Sequence, residues 1–281
     1  MKNFKDKLSE RIFFLLALSA LSVLALITVF IFIKGVPIIA KVGFFNFVFG
    51  MKWAPSQGYY GIFPMIVGTV SVTLGAAIIG VPVAISCSIF LAEFAPEWLR
   101  NIFRPAIQLL AGIPSVVYGF WGVVFIVPWI RDYLGGPGLS ILAGSIILAI
   151  MILPTIISIT EVSILALPSH YKDGALALGL THWQTIRHLL LPASKSGIVA
   201  AIILGLGRAV GETMAVIMVV GNAVALPESV LDPVRTLTTN IGIEMGYASG
   251  EHQQALFATG IVLFVIIMLM NGTAQYITRK K

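Results

Sequence analysis

Residues 171–192 read YKDGALALGLTHWQTIRHLLLP and separate two long apolar runs, residues 139–160 and 197–225. Each flanking run is long and apolar enough to cross a bilayer. The segment between them carries charged, polar and proline residues, so it does not belong to a span. The structure of this polar interruption, and the side of the membrane on which it lies, decide how the rest of the chain is arranged.

The polar interruption itself predicts a short amphipathic helix. Asp173 stands at its start, where a carboxylate suits the free N–H groups of a first turn. Apolar side chains recur at helical spacing, at Leu176, Leu180 and Trp183. Gly179 costs an interior helix position about 1 kcal/mol but permits close approach of another backbone, and Pro192 ends or bends the segment. We therefore expect a helix that contacts a partner; a helix lying on lipid headgroups is the alternative.

Composition places the chain in a membrane. Of its 281 residues, 58% are hydrophobic and 11% are charged, with a mean hydropathy of +0.98, whereas about a quarter of the residues of a soluble domain are charged. The net charge of +6 comes from basic residues beside apolar spans, which indicates topology rather than nucleic-acid binding. Cys87 is the only cysteine, so an internal disulfide is excluded.

Hydropathy predicts an all-α integral membrane protein with six transmembrane helices. They cover residues 12–33, 62–92, 105–130, 139–160, 197–225 and 256–277. The first run follows several basic residues and could be a signal peptide, but its length favours a retained anchor. We divide the chain into an N-terminal part, residues 1–61, and a five-helix core domain, residues 62–281.

The distribution of lysine and arginine predicts the orientation, because cytoplasmic segments are enriched in both. With the N-terminus inside, the inner segments carry Lys2, Lys5, Lys7, Arg11, Arg100, Arg104, Lys172, Arg187, Lys195, Arg279, Lys280 and Lys281. The outer segments carry Lys34, Lys41, Lys52, Arg131 and Arg235. This bias places both termini and the polar interruption in the cytoplasm.

The outer segments contain two further features. Aromatic residues crowd the segment 34–61, which suits anchoring at the membrane interface. The segment 226–254 is acidic, with Glu228, Asp232, Glu244 and Glu251. It could receive an extracellular partner or be an uncommitted solvated loop.

The strongest chemical signal is GLGRAVGETMAV at residues 205–216. On one helix Arg208 and Glu212 would share a face, one turn apart. An isolated charge at the bilayer centre costs at least ~2.5–3.5 kcal/mol, so such residues pair or line a pathway. The pair could be a structural lock between helices. If the residues line a pathway, Arg208 would bind an oxyanion. Glu212 would neutralise Arg208 between turnovers or accept a proton from the oxyanion, and Thr213 would lie beside them.

The third predicted span is interrupted in its middle by helix-breaking residues. Gly112, Pro114 and Gly119 disfavour a regular helix there, and Ser115 and Tyr118 add hydroxyl groups. A bend that only serves helix packing and a substrate contact at Ser115 are both compatible with this pattern.

The polar interruption resembles the docking motif in the membrane subunits of bacterial ABC importers. That motif is Glu-Ala-Ala, three residues, Gly, nine residues and Ile-x-Leu-Pro. Here Asp173-Gly174-Ala175 is followed at the same spacing by Gly179 and Leu189-Leu190-Leu191-Pro192, with three residue types changed. The resemblance implies a type I ABC importer permease fold with a cytoplasmic coupling helix. It also implies that an ATPase docks at Asp173, Gly174, Ala175, Gly179, Thr181, Leu191 and Pro192.

Three further runs resemble the PstC family of phosphate-importer permease subunits. They are GRAVGETMAV at 207–216, LAGIPSVVYG at 110–119 and LTTNI at 237–241. The PstA family shares Arg-Ala-x-Gly-Glu but usually lacks Met-Ala-Val after it, so PstC is preferred. The resemblance covers roughly residues 62–277. It implies phosphate import across the bacterial cytoplasmic membrane with a PstA-like permease, two PstB-like ATPases and a PstS-like extracytoplasmic binding protein.

Catalytic and cofactor motifs are missing from the sequence. Without a Gly-Lys dipeptide it has no Walker A loop, and its histidines and cysteine show no metal-ligand spacing. We therefore expect no enzyme activity and no cofactor on this chain, with ATP and magnesium bound by the partner. A permease for sulfate, molybdate or phosphonate, a proton-coupled secondary transporter and a signalling scaffold remain as alternatives.

Overall fold

The computed structural model describes residues 2–279, and for residues 2–7, 274, 275 and 277–279 it gives the backbone alone. Met1, Lys280 and Lys281 lie outside the described residues. The fold is almost entirely helical, as predicted. Its helices are α1 Lys2–Val42, α2 Phe44–Phe49, α3 Phe63–Ile89, α4 Glu97–Gly112, α5 Ser115–Trp121, α6 Val127–Tyr133, α7 Ile141–Leu165, α8 Ser169–Ala177, α9 His182–Thr185, α10 Leu191–Ala193, α11 Lys195–Gly211, α12 Met214–Val219, α13 Leu237–Glu244 and α14 Gly250–Arg279.

Four helices are long and apolar enough to cross a membrane by themselves. They are Leu8–Val42, Phe63–Phe94, Ile141–Leu165 and Gly250–Thr273, and they correspond to the first, second, fourth and sixth predicted spans. The first helix continues through Pro37 to Val42, beyond the predicted end at residue 33. The division at residue 61 stays a prediction.

The third predicted span is bent, as its helix-breaking residues predicted, and a second bend lies between the polar interruption and the fifth predicted span. Glu97–Gly112 meets Ser115–Tyr133 at 93°, and His182–Ala193 meets Lys195–Gly211 at 70°. At the first bend Ile113 has extended backbone angles, as expected for a residue that precedes a proline. With each bent pair counted as one span, the described residues contain up to six.

The main core lies where α3, α7, α11 and α12 pack together. Helix α7 is buried along most of its length, and Ser145 on it donates a hydrogen bond to the carbonyl of Val72 on α3. Aliphatic side chains fill this core, among them Val72, Ile147, Ile152, Val216 and Val219. Helix α7 is the most buried of the long helices, and α3, α11 and α12 pack around it.

A second core forms at the other end of α3 and includes part of the aromatic segment. The two short strands β1 Trp53–Ala54 and β2 Tyr59–Tyr60 pair antiparallel, with Trp53 opposite Tyr60. Phe47, Trp53 and Tyr60 are buried in this core. The expectation of interfacial anchoring therefore suits only the exposed aromatic residues, Phe44, Phe45, Phe49 and Tyr59.

Candidate functional site

The fifth predicted span breaks at the residues that carry its charges. Helix α11 ends at Gly211, Glu212 has extended backbone angles, and α12 begins at Met214. The Glu212 carboxylate accepts a hydrogen bond of 3.2 Å from the backbone N–H of Ala215. A carboxylate there satisfies one of the N–H groups left open in the first turn of α12.

This break corrects the expected pairing of Arg208 and Glu212. They do not share a helix face, since the helix ends between them, and the Glu212 carboxylate contacts the N–H of Ala215 instead of the guanidinium. Arg208 lies in the last turn of α11 and is partly buried. Among the side chains that the structure describes, none accepts a hydrogen bond from its guanidinium. The site therefore contains a cation whose donors are unused by the described side chains.

The surroundings of Arg208 are open. A Cβ added at Gly207 or Gly211 would meet no atom within 4 Å. Thr213 is partly buried next to the break, and its hydroxyl lies 3.4 Å from the carbonyl of Gly211. The face that carries Arg208 thus has room for a solute or for a second subunit.

Helix α5 reaches the site through close packing on α12. A Cβ at Gly119 would lie 2.9 Å from the Cα of Ala215. The Tyr118 hydroxyl donates to the carbonyl of Leu110 across the bend, at 2.8 Å, so it stabilises the bend. Ser115 is partly buried at the start of α5; the described contacts do not join it to Arg208.

Sequence reasoning missed the contribution of α13. The Thr238 hydroxyl donates a 2.9 Å hydrogen bond to the carbonyl of Glu212, and the Leu237 N–H donates to the Thr69 hydroxyl of α3 at 3.0 Å. A Cβ at Gly242 would lie 2.8 Å from the Thr213 methyl carbon. Helix α13 therefore satisfies the backbone that the break exposes. The signal was a run of threonine and asparagine inside an otherwise acidic segment.

The acidic outer segment is not simply a solvated loop, because Glu244 is buried in it. Arg235 donates to one of its oxygens at 2.6 Å, while His252 and the Trp53 indole lie 2.7 and 2.9 Å from the other. Arg235 also donates to the carbonyl of Asn222 at 3.0 Å. A buried carboxylate is tolerated only with such partners, and this network fixes α13 next to the site.

The polar interruption forms two helices rather than one. Asp173 lies inside α8 and does not begin it. Gly179 has φ +86° and ends α8, with the Leu180 N–H bonded to the carbonyl of Ala175 and the Gly179 N–H to that of Leu176. Glycine favours this position because it adopts the left-handed region without a Cβ penalty. The expectation of Gly179 in a helix interior was wrong.

The second helix begins with a capping box. The Thr181 hydroxyl accepts from the N–H of Gln184, whose side chain accepts from the N–H of Thr181. The helix then continues to Ala193. The helix ends one residue after Pro192, and the chain bends by 70° before Lys195–Gly211, which agrees with the end or bend expected at this proline.

Most of the expected docking residues are accessible. Asp173, Gly174, Gly179, Thr181 and Pro192 are exposed and Leu191 is partly buried, whereas Ala175 is buried and does not face outward. Large apolar side chains accompany them: Leu178 is 86% exposed and Trp183 is 56% exposed. The turn between the helices therefore presents an apolar surface, on the side that the distribution of basic residues predicts to be cytoplasmic.

A family model described as binding-protein-dependent transport system inner membrane component matches residues 80–281. This chain belongs to that family. The family consists of transport permeases and not of enzymes, and the chain is an integral membrane protein. The docking motif at residues 173–192 and the runs 110–119, 207–216 and 237–241 all lie within the matched residues.

Two bacterial relatives cover most of the permease. It is 42% identical over 263 residues to the probable ABC transporter permease protein YqgH of Bacillus subtilis, across 91% of this chain and 85% of the relative. It is 39% identical over 251 residues to the phosphate transport system permease protein PstC of Pasteurella multocida, across 82% and 78%. The resemblance to the PstC family is confirmed.

Solved structures establish the fold independently. A chain of the inward-facing MetNI methionine ABC transporter aligns with a TM-score of 0.63 at 20% identity, over 81% of the permease and 98% of that chain. A chain of a bacterial alginate ABC transporter aligns at 0.59 and 16% identity, over 93% and 95%. The permease thus has the type I ABC importer fold.

Proposed function

We propose that this permease is the membrane-spanning subunit of an ATP-driven importer of inorganic phosphate and forms the translocation path with a second permease subunit. Relatives named phosphate transport system permease proteins support the substrate. The observation that carries the proposal is Arg208, a partly buried cation with an open face and unused donors.

The physical argument is the cost of such a cation. A charge inside the membrane costs at least ~2.5–3.5 kcal/mol, and a cation that is not used for internal pairing must be retained for another reason. A guanidinium offers a planar fork of donors that fits a tetrahedral oxyanion. Because Glu212 caps α12 instead of neutralising Arg208, an arriving anion would not have to displace the Glu212 carboxylate. Thr213 and Ser115 would add neutral hydroxyl contacts.

The remaining subunits follow from this function. The exposed turn at Leu178 and Gly179 would dock on one of two PstB-like ATPases, which bind ATP and magnesium. A PstA-like permease would complete the path, and a PstS-like binding protein would deliver phosphate from outside. Both termini would lie in the cytoplasm, with lipid around the spans of the cytoplasmic membrane.

The test is uptake of labelled phosphate by the reconstituted complex in vesicles, with and without ATP, with sulfate and molybdate as competitors. Arg208→Ala should lower uptake by about 100-fold or more, as expected for the loss of two charge-assisted hydrogen bonds, while the complex still assembles. Arg131→Ala, at an exposed arginine, is the control and should leave uptake unchanged.

Other outcomes would contradict the proposal. Normal uptake by Arg208→Ala would remove Arg208 from the path. Competition by sulfate or molybdate would favour another oxyanion. Uptake that survives ATP depletion but stops when the proton gradient collapses would indicate a secondary transporter.

A further inference from the structure

A buried carboxylate stands at the end of the second span, beside the cytoplasmic turn. Helix α3 continues as one π-helical turn, Phe90–Phe94, and Glu93 belongs to this turn. Its side chain is only 8% exposed. Single π turns within helices occur frequently at functional sites. Glu93 belongs neither to the Arg208 site nor to the exposed turn at Leu178 and Gly179, which we call the docking turn.

One oxygen of Glu93 contacts both helices of the polar interruption. Lys172 on α8 lies 2.6 Å from Oε2, and the Nε2 atom of His182, the first residue of α9, lies 3.0 Å from the same oxygen. The ring of Phe94 packs 4.9 Å from the ring of His182. The two helices are therefore fixed to the end of α3, one on each side of the turn that joins them.

The docking turn is exposed and makes few contacts with the described part of the chain on its outer side. Leu178 is the most exposed of the large apolar side chains in the described chain, and a Cβ at Gly179 would meet no atom within 4 Å. A partner that pushes or pulls on this turn would load the two anchored helices together. The contacts through which they are attached to the second span meet at Glu93.

The other end of α3 reaches the Arg208 site. Twenty-four residues separate Glu93 from Thr69, a helical length of about 36 Å at 1.5 Å per residue. At that end Thr69 accepts the hydrogen bond from Leu237 of α13, whose neighbour Thr238 donates to the carbonyl of Glu212. A displacement of α3 along its axis therefore acts on both the docking turn and the break beside Arg208.

We infer that Glu93 is the positioning residue that joins the docking turn to α3 and transmits ATPase movement to the substrate site. This rests on the proposed function in one respect, namely that an ATPase docks at the turn. Glu93 touches no substrate. Its role is to hold α8 and α9 against the end of α3, so that the three helices move together during each cycle of ATP hydrolysis.

The experiment compares Glu93→Gln, Glu93→Asp and wild type in the reconstituted complex, and measures ATP hydrolysed per phosphate imported. Glu93→Gln should raise this ratio at least about tenfold while ATP hydrolysis continues, because loss of the carboxylate charge weakens the contacts to both Lys172 and His182, and one charge-assisted hydrogen bond alone accounts for about that factor. Glu93→Asp keeps the charge and should restore most of the coupling. Glu97→Gln is the matched control, because Glu97 is exposed four residues away, and it should leave the ratio unchanged.

An unchanged ratio in Glu93→Gln, including an equal fall in uptake and hydrolysis, would overturn the inference. If that variant fails to assemble, Lys172→Gln and His182→Gln each remove one contact and should each raise the ratio; no rise in either overturns it. If wild-type vesicles import another oxyanion, the proposed function fails, but the ratio measured with that anion still tests Glu93.

Discussion

At the scale of single residues, a short local change decides what the charges in the fifth span do. Four residues separate Arg208 from Glu212, which on an unbroken helix would bring them together. The end of α11 at Gly211 turns the Glu212 carboxylate toward the N–H of Ala215. Arg208 is thus left with an accessible guanidinium and Glu212 caps α12, instead of the two forming an ion pair.

Two glycines near the docking turn should respond oppositely to replacement by alanine. Gly179→Ala places a Cβ in the left-handed region, which costs about 1–2 kcal/mol. Gly174→Ala lies inside α8 with no atom within 4 Å of the new Cβ, so it should stabilise that helix by about 1 kcal/mol.

Hydrogen exchange of the amides of residues 174–180 measures both effects. We expect faster exchange in Gly179→Ala and slower exchange in Gly174→Ala than in wild type. The same direction of change in both variants would contradict the assignment of Gly179 as the residue that ends α8.

At the scale of elements, the site depends on short helices that touch at backbone distance. Helix α13 satisfies the broken backbone at Glu212 through Thr238, and the network around Glu244 fixes α13. Helix α5 approaches α12 at Gly119. Breaks in membrane helices are tolerated where neighbouring protein satisfies the freed backbone groups. The hydrogen bond from Thr238 satisfies the carbonyl of Glu212 in this way.

Gly119→Ala should separate α5 from α12. The added Cβ would lie 2.7 Å from the Met218 sulfur and 2.9 Å from the Ala215 Cα, and overpacking of this kind costs about 1–3 kcal/mol. We expect a lower melting temperature and reduced phosphate uptake. Gly112→Ala is the control, because its Cβ would meet no atom within 4 Å. Equal melting temperatures and uptake in the two variants would show that α5 and α12 do not need this close contact.

At the scale of the whole molecule, the predicted orientation in the membrane would place the docking turn in the cytoplasm. The long helices define the membrane-embedded region, and the basic residues predict which side faces inward. The docking turn and the β1–β2 hairpin should then lie on opposite sides.

Cysteine labelling in intact cells checks this orientation. In a Cys87→Ala background, Ser56→Cys in the exposed hairpin should react with a membrane-impermeant maleimide added outside, and Leu178→Cys should react only after the cells are opened. Labelling of Leu178→Cys from outside would reverse the topology and remove the turn from the side where ATP is available.

The sequence alone determined the membrane class, the positions of the four spans that the structure forms as single helices, and the family, because length, hydropathy and motif spacing are local properties of the chain. It also pointed to Arg208 and to the docking turn. Only the tertiary structure decided that Arg208 has no partner among the described side chains, that Gly179 separates two helices and that α13 is buried beside the break. Those outcomes depend on which distant groups satisfy each broken backbone and each buried charge. The contact between Glu93 and His182 joins residues 89 positions apart, a separation that periodicity along the chain does not register.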